Sequence, residues 1–131
     1  MKKILNSFFK GEKEDFLLSF CIPTCNRPEE LSWLLTTLLP QLTDDVELFI
    51  KDDSVDNKSE DLVKEMLLDS NVNFRYFHGE KEGIDEANIF IAEHARGKFV
   101  WWFGDDDELL PGALERVLSA IKKTRIYVLF G

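Results

Sequence analysis

Four consecutive carboxylates, Asp105, Asp106, Asp107 and Glu108, follow the apolar run FVWWF and a single glycine, Gly104. Two negative charges about 4 Å apart repel by roughly 1 kcal/mol in water and by several times that near a protein surface. Such a run is either a solvated acidic loop or a place prepared for a cation. A second acidic cluster, Asp52-Asp53-Ser54-Val55-Asp56, follows VELFIK, and a third polar segment, Pro23-Thr24-Cys25-Asn26-Arg27, follows LLSFCI. One acidic loop alone reads as surface. Two converging beside Thr24 and Asn26 demand a cation or raised carboxyl pKa values. Aspartates without His or Cys neighbours suit hard ions, Mg2+ or Mn2+, which take one or two carboxylates and fill their shell with water and phosphate oxygens. The chemistry on offer is therefore binding of a divalent ion and, with it, a diphosphate. Asp105 and Asp107 form an Asp-x-Asp pair, and Gly104 permits the tight turn that would bring Asp106 round to them.

The elements that must position these loops are read from the change of hydrophobic period along the chain. LLSFCI (Leu17 to Ile22) and VELFIK (Val46 to Lys51) read as strands, VNFRYF (Val72 to Phe77) as a half-buried strand, and KFVWWF (Lys98 to Phe103) and IYVLF (Ile126 to Phe130) as two more. Between them lie helical patterns. Pro28, Glu29 and Glu30 open the first, with Leu31, Leu34, Leu35, Leu38 and Leu39 at helical spacing. Asn57 or Ser59 caps the second, which carries Leu62, Val63, Met66 and Leu67. The third runs from about Asp85 to Ala95 on Ala87, Ile91 and Ala95, with Gly97 as its stop. Pro111 opens the last, with Leu114, Val117, Leu118 and Ile121 apolar. Alternating strands and helices predict an α/β fold, a mostly parallel sheet with helices on both faces. In such a sheet ligands bind outside the carboxyl ends of the strands, which is where all three polar segments fall.

The 131 residues make one domain's worth of chain, and 44% hydrophobic with 12% aromatic content is globular. A net charge of −9 argues against nucleic acid as partner, because phosphate backbones are bound by clustered Lys and Arg. Cys21 and Cys25 imply no disulfide framework, and with only His78 and His94 far along the chain they make no zinc set. No apolar run approaches the roughly 18 residues of a membrane span. Residues 1–16 read as a leader or linker in preference to a membrane-surface helix, leaving 17–131 as the folded unit.

Three segments carry a resemblance. SFCIPTCNRPEELSWLL, FIKDDSVDNKSEDL and GIDEANIFIAEHARGKFVWWFGDDDELLPGAL resemble, in order and spacing, the motifs of glycosyltransferase family 2, nucleotide-diphospho-sugar transferases of the GT-A (Rossmann-like) fold. The match covers about residues 17 to 121. The resemblance implies that Pro23, Thr24 and Asn26 line the nucleotide pocket, that Asp53 accepts a hydrogen bond from the base and that Asp52 lies near the ribose. It implies that Asp105 and Asp106 contact the nucleotide-sugar and that Asp106 and Asp107 hold Mn2+ or Mg2+. It also implies an inverting transfer to a glycan or lipid-linked acceptor in surface polysaccharide synthesis, in the cytoplasm or at the inner face of the cytoplasmic membrane. Family members supply the general base and acceptor site after the fifth strand, so the fold is expected to be truncated before its acceptor-binding part, with the base beyond Gly131. Cys25 stands where the family has an aromatic, and Ser54 replaces a glycine, tightening the loop if that position needs positive φ.

Other side chains have ordinary readings. Trp101 and Trp102 alternate on a strand, one to the core and one to a helix layer or crevice. Trp33 packs on its helix face, His78 and His94 are structural or exposed, Lys81 is solvated or reaches a diphosphate, and Glu108 is a poor candidate base. Asn88 bonds a loop or sits on the polar face of its helix. Two rival functions stand beside the transferase: a donor-binding module without catalysis, and a Mg2+-dependent nucleotidyl or phosphoryl transferase. The second would want a Gly-rich phosphate loop, which PTCNRP does not supply.

Overall fold

The computed structural model describes residues 4–11, 13–81 and 83–123. Its elements in chain order are β1 (Ile4–Lys10), β2 (Phe16–Thr24), α1 (Pro28–Leu38) with a 3-10 turn (Leu39–Gln41), β3 (Val46–Asp52), α2 (Lys58–Leu67), β4 (Phe74–Gly79), α3 (Ile84–His94), β5 (Gly97–Trp102) and α4 (Ala113–Lys123). The expected strand at 126–130 lies outside the described residues. The sheet order is β1-β4-β3-β2-β5. β2 pairs in parallel with β3 and β5, β3 pairs in parallel with β4, and β1 pairs antiparallel with β4.

This order explains the placement of the helices. From β2 to β3 to β4 the chain steps one way across the sheet, so right-handed crossovers put α1 and α2 on one face. The return from β4 over β3 and β2 to β5 reverses direction, and the same handedness puts α3 on the other. Packing follows. Leu18, Phe20, Ile22, Leu48, Ile50, Phe74 and Tyr76 form one core with Leu31, Leu34, Leu35, Leu38, Val63, Leu67 and the α4 residues Leu114, Leu118 and Ile121. Cys21 and Phe49 form a smaller core on the opposite face with Phe90 and Ile91 of α3. β2 and β3, covered on both sides, are apolar almost throughout, as a buried parallel strand must be.

One buried exception, Glu47, closes the amino-terminal end of the sheet. Its carboxylate accepts from Ser19 Oγ at 2.6 Å, Arg75 Nε at 2.8 Å and the Arg96 amide at 2.7 Å, so both oxygens have donors. That end is spent on structure, which leaves the carboxyl end for ligands.

Several sequence expectations are corrected. Ile4–Lys10, expected within a leader or linker, is an edge strand, because Phe8 packs on Phe74 and Tyr76 with ring centroids 5.8 and 4.7 Å away. Gly97 does not stop a helix. α3 ends at His94, and Gly97 begins β5 where an added Cβ would lie 2.3 Å from the Ser19 nitrogen. Pro111 precedes α4 rather than opening it; Pro111 and Gly112 form a turn, with Gly112 at φ +79. Asn57 holds the N-cap position of α2 without a side-chain bond, and Asp56 Oδ1 accepts the Lys58 amide instead at 3.0 Å. Trp33 is 57% exposed, its indole N–H donating to Glu108 Oε2 at 3.1 Å rather than packing.

Candidate functional site

The strand order reverses at β2, with β3 and β4 added on one side of it and β5 on the other. That makes the carboxyl end of this pair the switch point where open α/β sheets bind ligands. A cleft of about 410 Å3 opens there, a volume suited to a small molecule. Pro23, Thr24, Asn26, Asp53 and Asp105, all expected at the site, line it together.

The loops are locked by hydrogen bonds between the segments. Thr24 Oγ1 donates to Asp105 Oδ2 at 2.9 Å, joining two loops 81 residues apart. The Asp53 amide donates to the Thr24 carbonyl at 2.9 Å, the Asn26 amide to Ser54 Oγ at 2.8 Å and the Val55 amide to Asn26 Oδ1 at 2.9 Å. Asn26 adopts φ +56, a conformation that asparagine tolerates better than most residues, and Ser54 needs no positive φ. The third polar segment is pinned at both ends. The Phe103 amide bonds the Cys21 carbonyl at 2.9 Å, the Leu109 amide bonds Thr37 Oγ1 at 2.9 Å, and Gln41 Nε2 reaches the Leu109 and Leu110 carbonyls at 3.2 and 3.1 Å. The turn between is closed by the Asp107 amide on the Gly104 carbonyl at 3.2 Å.

The adjacent aspartates of β3 and its loop diverge, as alternate residues of a strand must. Asp53 points toward the α3 face and forms a buried ion pair with Lys51, whose ammonium lies 5.4 Å from the centroid of the Phe90 ring. Asp52 points the other way and is wholly buried, accepting from the Tyr76 hydroxyl and, at 2.8 Å, from the Ser54 amide. Asp52 therefore braces the loop from beneath and does not line the cleft, contrary to its expected place near a ribose. Burial and the Asp52 charge push the Tyr76 hydroxyl well above the ordinary phenol range, so it stays a donor.

Asp105 is buried, whereas Asp106 and Asp107 are exposed at the rim. Burial raises the Asp105 pKa, with Asp106 and Glu30 adding to the effect, against the opposing pull of Thr24 and Arg27. The Arg27 guanidinium lies 3.5 Å from both Asp105 Oδ1 and Asp106 Oδ2. Asp106 Oδ1 and Asp107 Oδ2 converge over Gly104, within 3.1 and 3.3 Å of where a Cβ would stand, so the glycine leaves room beneath two facing carboxylates. Among the described residues no three His, Cys, Asp or Glu side chains gather into a metal-binding group. Two oxygen donors with open space fit Mg2+ or Mn2+, which leave further positions to water and phosphate.

Parts of the site were missed or left undecided from sequence. Lys81, Gly83, Ile84 and Ala87 form the wall opposite Thr24. Lys51 supports Asp53, a pairing legible from the i, i+2 spacing had the strand been carried to Asp52. A second hollow of about 460 Å3 shares Pro23 and Ile84 with the cleft and is bounded by Trp102, which is 43% exposed, and Asn88, whose Oδ1 is buried without a hydrogen-bond partner. Trp101 takes the core side, against Phe20 and Phe103. His94 stacks on Phe90 with centroids 4.2 Å apart, and His78 is buried beneath the Asp53 loop.

The sequence model of the family described as "Glycosyl transferase family 2" matches residues 19–131. GalNAc(5)-diNAcBac-PP-undecaprenol beta-1,3-glucosyltransferase of Campylobacter jejuni is 30% identical over 104 residues, covering 78% of this chain and 33% of that protein. Abequosyltransferase RfbV of Salmonella typhimurium is 32% identical over 103 residues, covering 75% and 30%. The chain thus spans about a third of the length of these relatives. Among solved structures, S. aureus TarS 1–349 superimposes with TM-score 0.70 at 22% identity over 81% of this chain and 32% of that one. Mannosyltransferase PcManGT from Pyrobaculum calidifontis, in complex with GDP-Man and Mn2+, gives TM-score 0.70 at 19% identity over 82% and 32%. Both likenesses establish the fold.

Proposed function

The chain belongs to glycosyl transferase family 2, and on that premise we propose that it is the donor-binding part of an enzyme that transfers a sugar from a nucleotide-diphospho-sugar to an acceptor. The observation that carries the reading is the Thr24–Asp105 hydrogen bond at 2.9 Å, which draws the acidic run to the polar loop after β2 at the switch point.

In this reading Pro23, Thr24 and Asn26 shape the nucleotide pocket and Asp53, its charge balanced by Lys51, accepts from the base. Asp105 lies by the ribose, and Asp106 and Asp107 hold Mn2+ or Mg2+. These two carboxylates would hold the ion, which would supply Lewis-acid stabilisation of negative charge on the departing nucleoside diphosphate. Arg27 keeps the acidic run from repelling itself, and Lys81 offers positive charge to the diphosphate at the rim. The sugar extends into the neighbouring hollow, where the unpartnered Asn88 Oδ1 accepts a hydroxyl and Trp102 offers an apolar face. Transfer proceeds by one inverting displacement, with a carboxylate within hydrogen-bond reach taking the acceptor proton. Glu108 is engaged with Trp33 and is not assigned that role. The C. jejuni relative, whose name specifies a PP-undecaprenol compound, supports a lipid-linked glycan as acceptor and hence work at the inner face of the cytoplasmic membrane. Among the described residues no helix is long and apolar enough to cross a membrane.

Calorimetric titration of UDP, dTDP, GDP and CDP, each with and without Mn2+, tests the reading. Binding of one of them that requires the metal, and that Asp107→Ala abolishes, is the expected result. Failure of all four in both conditions would overturn it.

A further inference from the structure

Beneath the Asp53 loop lies a buried polar cluster that no ligand contact explains. His78, at the carboxyl end of β4, is 2% exposed. Its Nδ1 lies 3.1 Å from Glu60 Oε1 and its Nε2 lies 2.8 Å from the Ser54 carbonyl oxygen. A carbonyl only accepts and an ionised carboxylate only accepts, so both contacts are hydrogen bonds only when the ring is an imidazolium. The charged groups facing it are Asp52 from β3 and Glu60, with its partner Lys64, from α2; on its own strand the uncharged Tyr76 ring lies against it. β1 contributes only the uncharged Asn6, its register partner. Burial alone would drive the proton off, but the Ser54 carbonyl and the carboxylates of Glu60 and Asp52 reverse this and raise the His78 pKa above its ordinary value. Burial likewise pushes Glu60 up, and hydrogen bonds from His78, Asn6 and Lys64 more than offset it, so its pKa is lowered.

An ion pair at this depth adds little to stability compared with a well-packed apolar pair, so its placement asks for another reason. Ser54 is gripped on three sides: its carbonyl by His78, its amide by Asp52 and its hydroxyl by the Asn26 amide at 2.8 Å. Asn26 lines the cleft, and Asp53 is the next residue along. We propose that His78 is a positioning residue for the donor cleft, its imidazolium holding the Ser54 carbonyl against Glu60 so that Asp53 and Asn26 stand where the nucleotide needs them, and that loss of its proton loosens the cleft. This rests on the donor-site reading above.

The sign is fixed by the chemistry. A neutral ring that keeps its Nε2 proton for Ser54 turns the bare Nδ1 lone pair toward the Glu60 carboxylate, which repels it. The grip is complete at low pH down to the Glu60 titration and fades as pH rises through the raised His78 pKa.

The test combines an NMR titration of the His78 ring with calorimetry of UDP, dTDP, GDP and CDP with Mg2+ across about pH 5 to about pH 9, the range that brackets an imidazole. The nucleotide that binds is expected to weaken about fivefold with the same midpoint as the ring, the scale of coupling within one hydrogen-bond network. Glu60→Gln, close in shape, is expected to move both midpoints to lower pH together, which a merely structural histidine would not do. Nucleotide affinity that stays flat through the ring titration, or a Glu60→Gln midpoint that moves for the ring alone, would overturn the proposal. If no nucleotide binds, the donor-site reading fails, and the amides of Asp53, Ser54 and Val55 then decide: shifts that do not follow the ring titration overturn the positioning role as well.

Discussion

Replacing Thr24 by valine removes one hydroxyl and keeps the shape, and the consequence falls on Asp105. That carboxylate is buried, and Thr24 is its short-range donor, since Arg27 reaches it only at 3.5 Å. Leaving a buried acceptor unpaired costs about 1–3 kcal/mol. Thr24→Val is therefore expected to lower the unfolding free energy read from urea denaturation by that amount and to weaken metal-dependent nucleotide binding, because the acidic run is no longer drawn to the loop after β2. Unchanged binding in a variant with a lowered midpoint would confine Thr24 to stability. At this scale the sequence was legible in kind more than in direction. Three aspartates after a glycine raise the expectation of a cation site, but which of them turns inward depends on a threonine 81 residues away. Asp52 and Asp53 look alike as letters; only the strand's alternation sends one to Tyr76 and the other to Lys51.

At the scale of elements, the four parallel strands and their helices could be read from period alone, because a strand buried on both faces and a helix with one apolar stripe leave different patterns. β1 could not. Its apolar anchors are Phe8 on one core and Ile4 on the other, with Phe9 71% exposed, so the stretch shows little apolar alternation. Its partner, β4, lies more than sixty residues on, and the chemistry that makes it a strand is therefore tertiary. Phe8→Ala is expected to cost about 2 kcal/mol, less than a fully buried phenylalanine because the ring is half-covered. A denaturation midpoint indistinguishable from that of the parent chain would mean that β1 is not docked on Phe74 and Tyr76. The ends of helices were also hard to read. Gly97 has the residue type of a helix stop, yet it serves the close approach of β5 to β2, which a sequence pattern does not distinguish.

For the molecule as a whole, the strand order places the cleft between segments that are distant along the chain. β2 meets β3 after a single helix, and β4 adds to β3 in the same way. β5 must then travel back across two strands to reach the free side of β2, bringing Trp101 against Phe20. Closing that long excursion costs more chain entropy than either neighbouring step, and contacts far apart in sequence form slowly. The strand order thus predicts a history as well as a shape, in which β2, β3 and β4 assemble first and β5 inserts last. During refolding followed by stopped flow, a Trp33→Phe chain, whose remaining indoles are Trp101 and Trp102, should recover its far-ultraviolet circular dichroism before its fluorescence. Simultaneous recovery would show that β5 docks with the rest. A late β5 means that the Thr24–Asp105 bond is the final stitch, so a half-folded chain holds its acidic run apart from the loop after β2 and has no cleft until every strand is home.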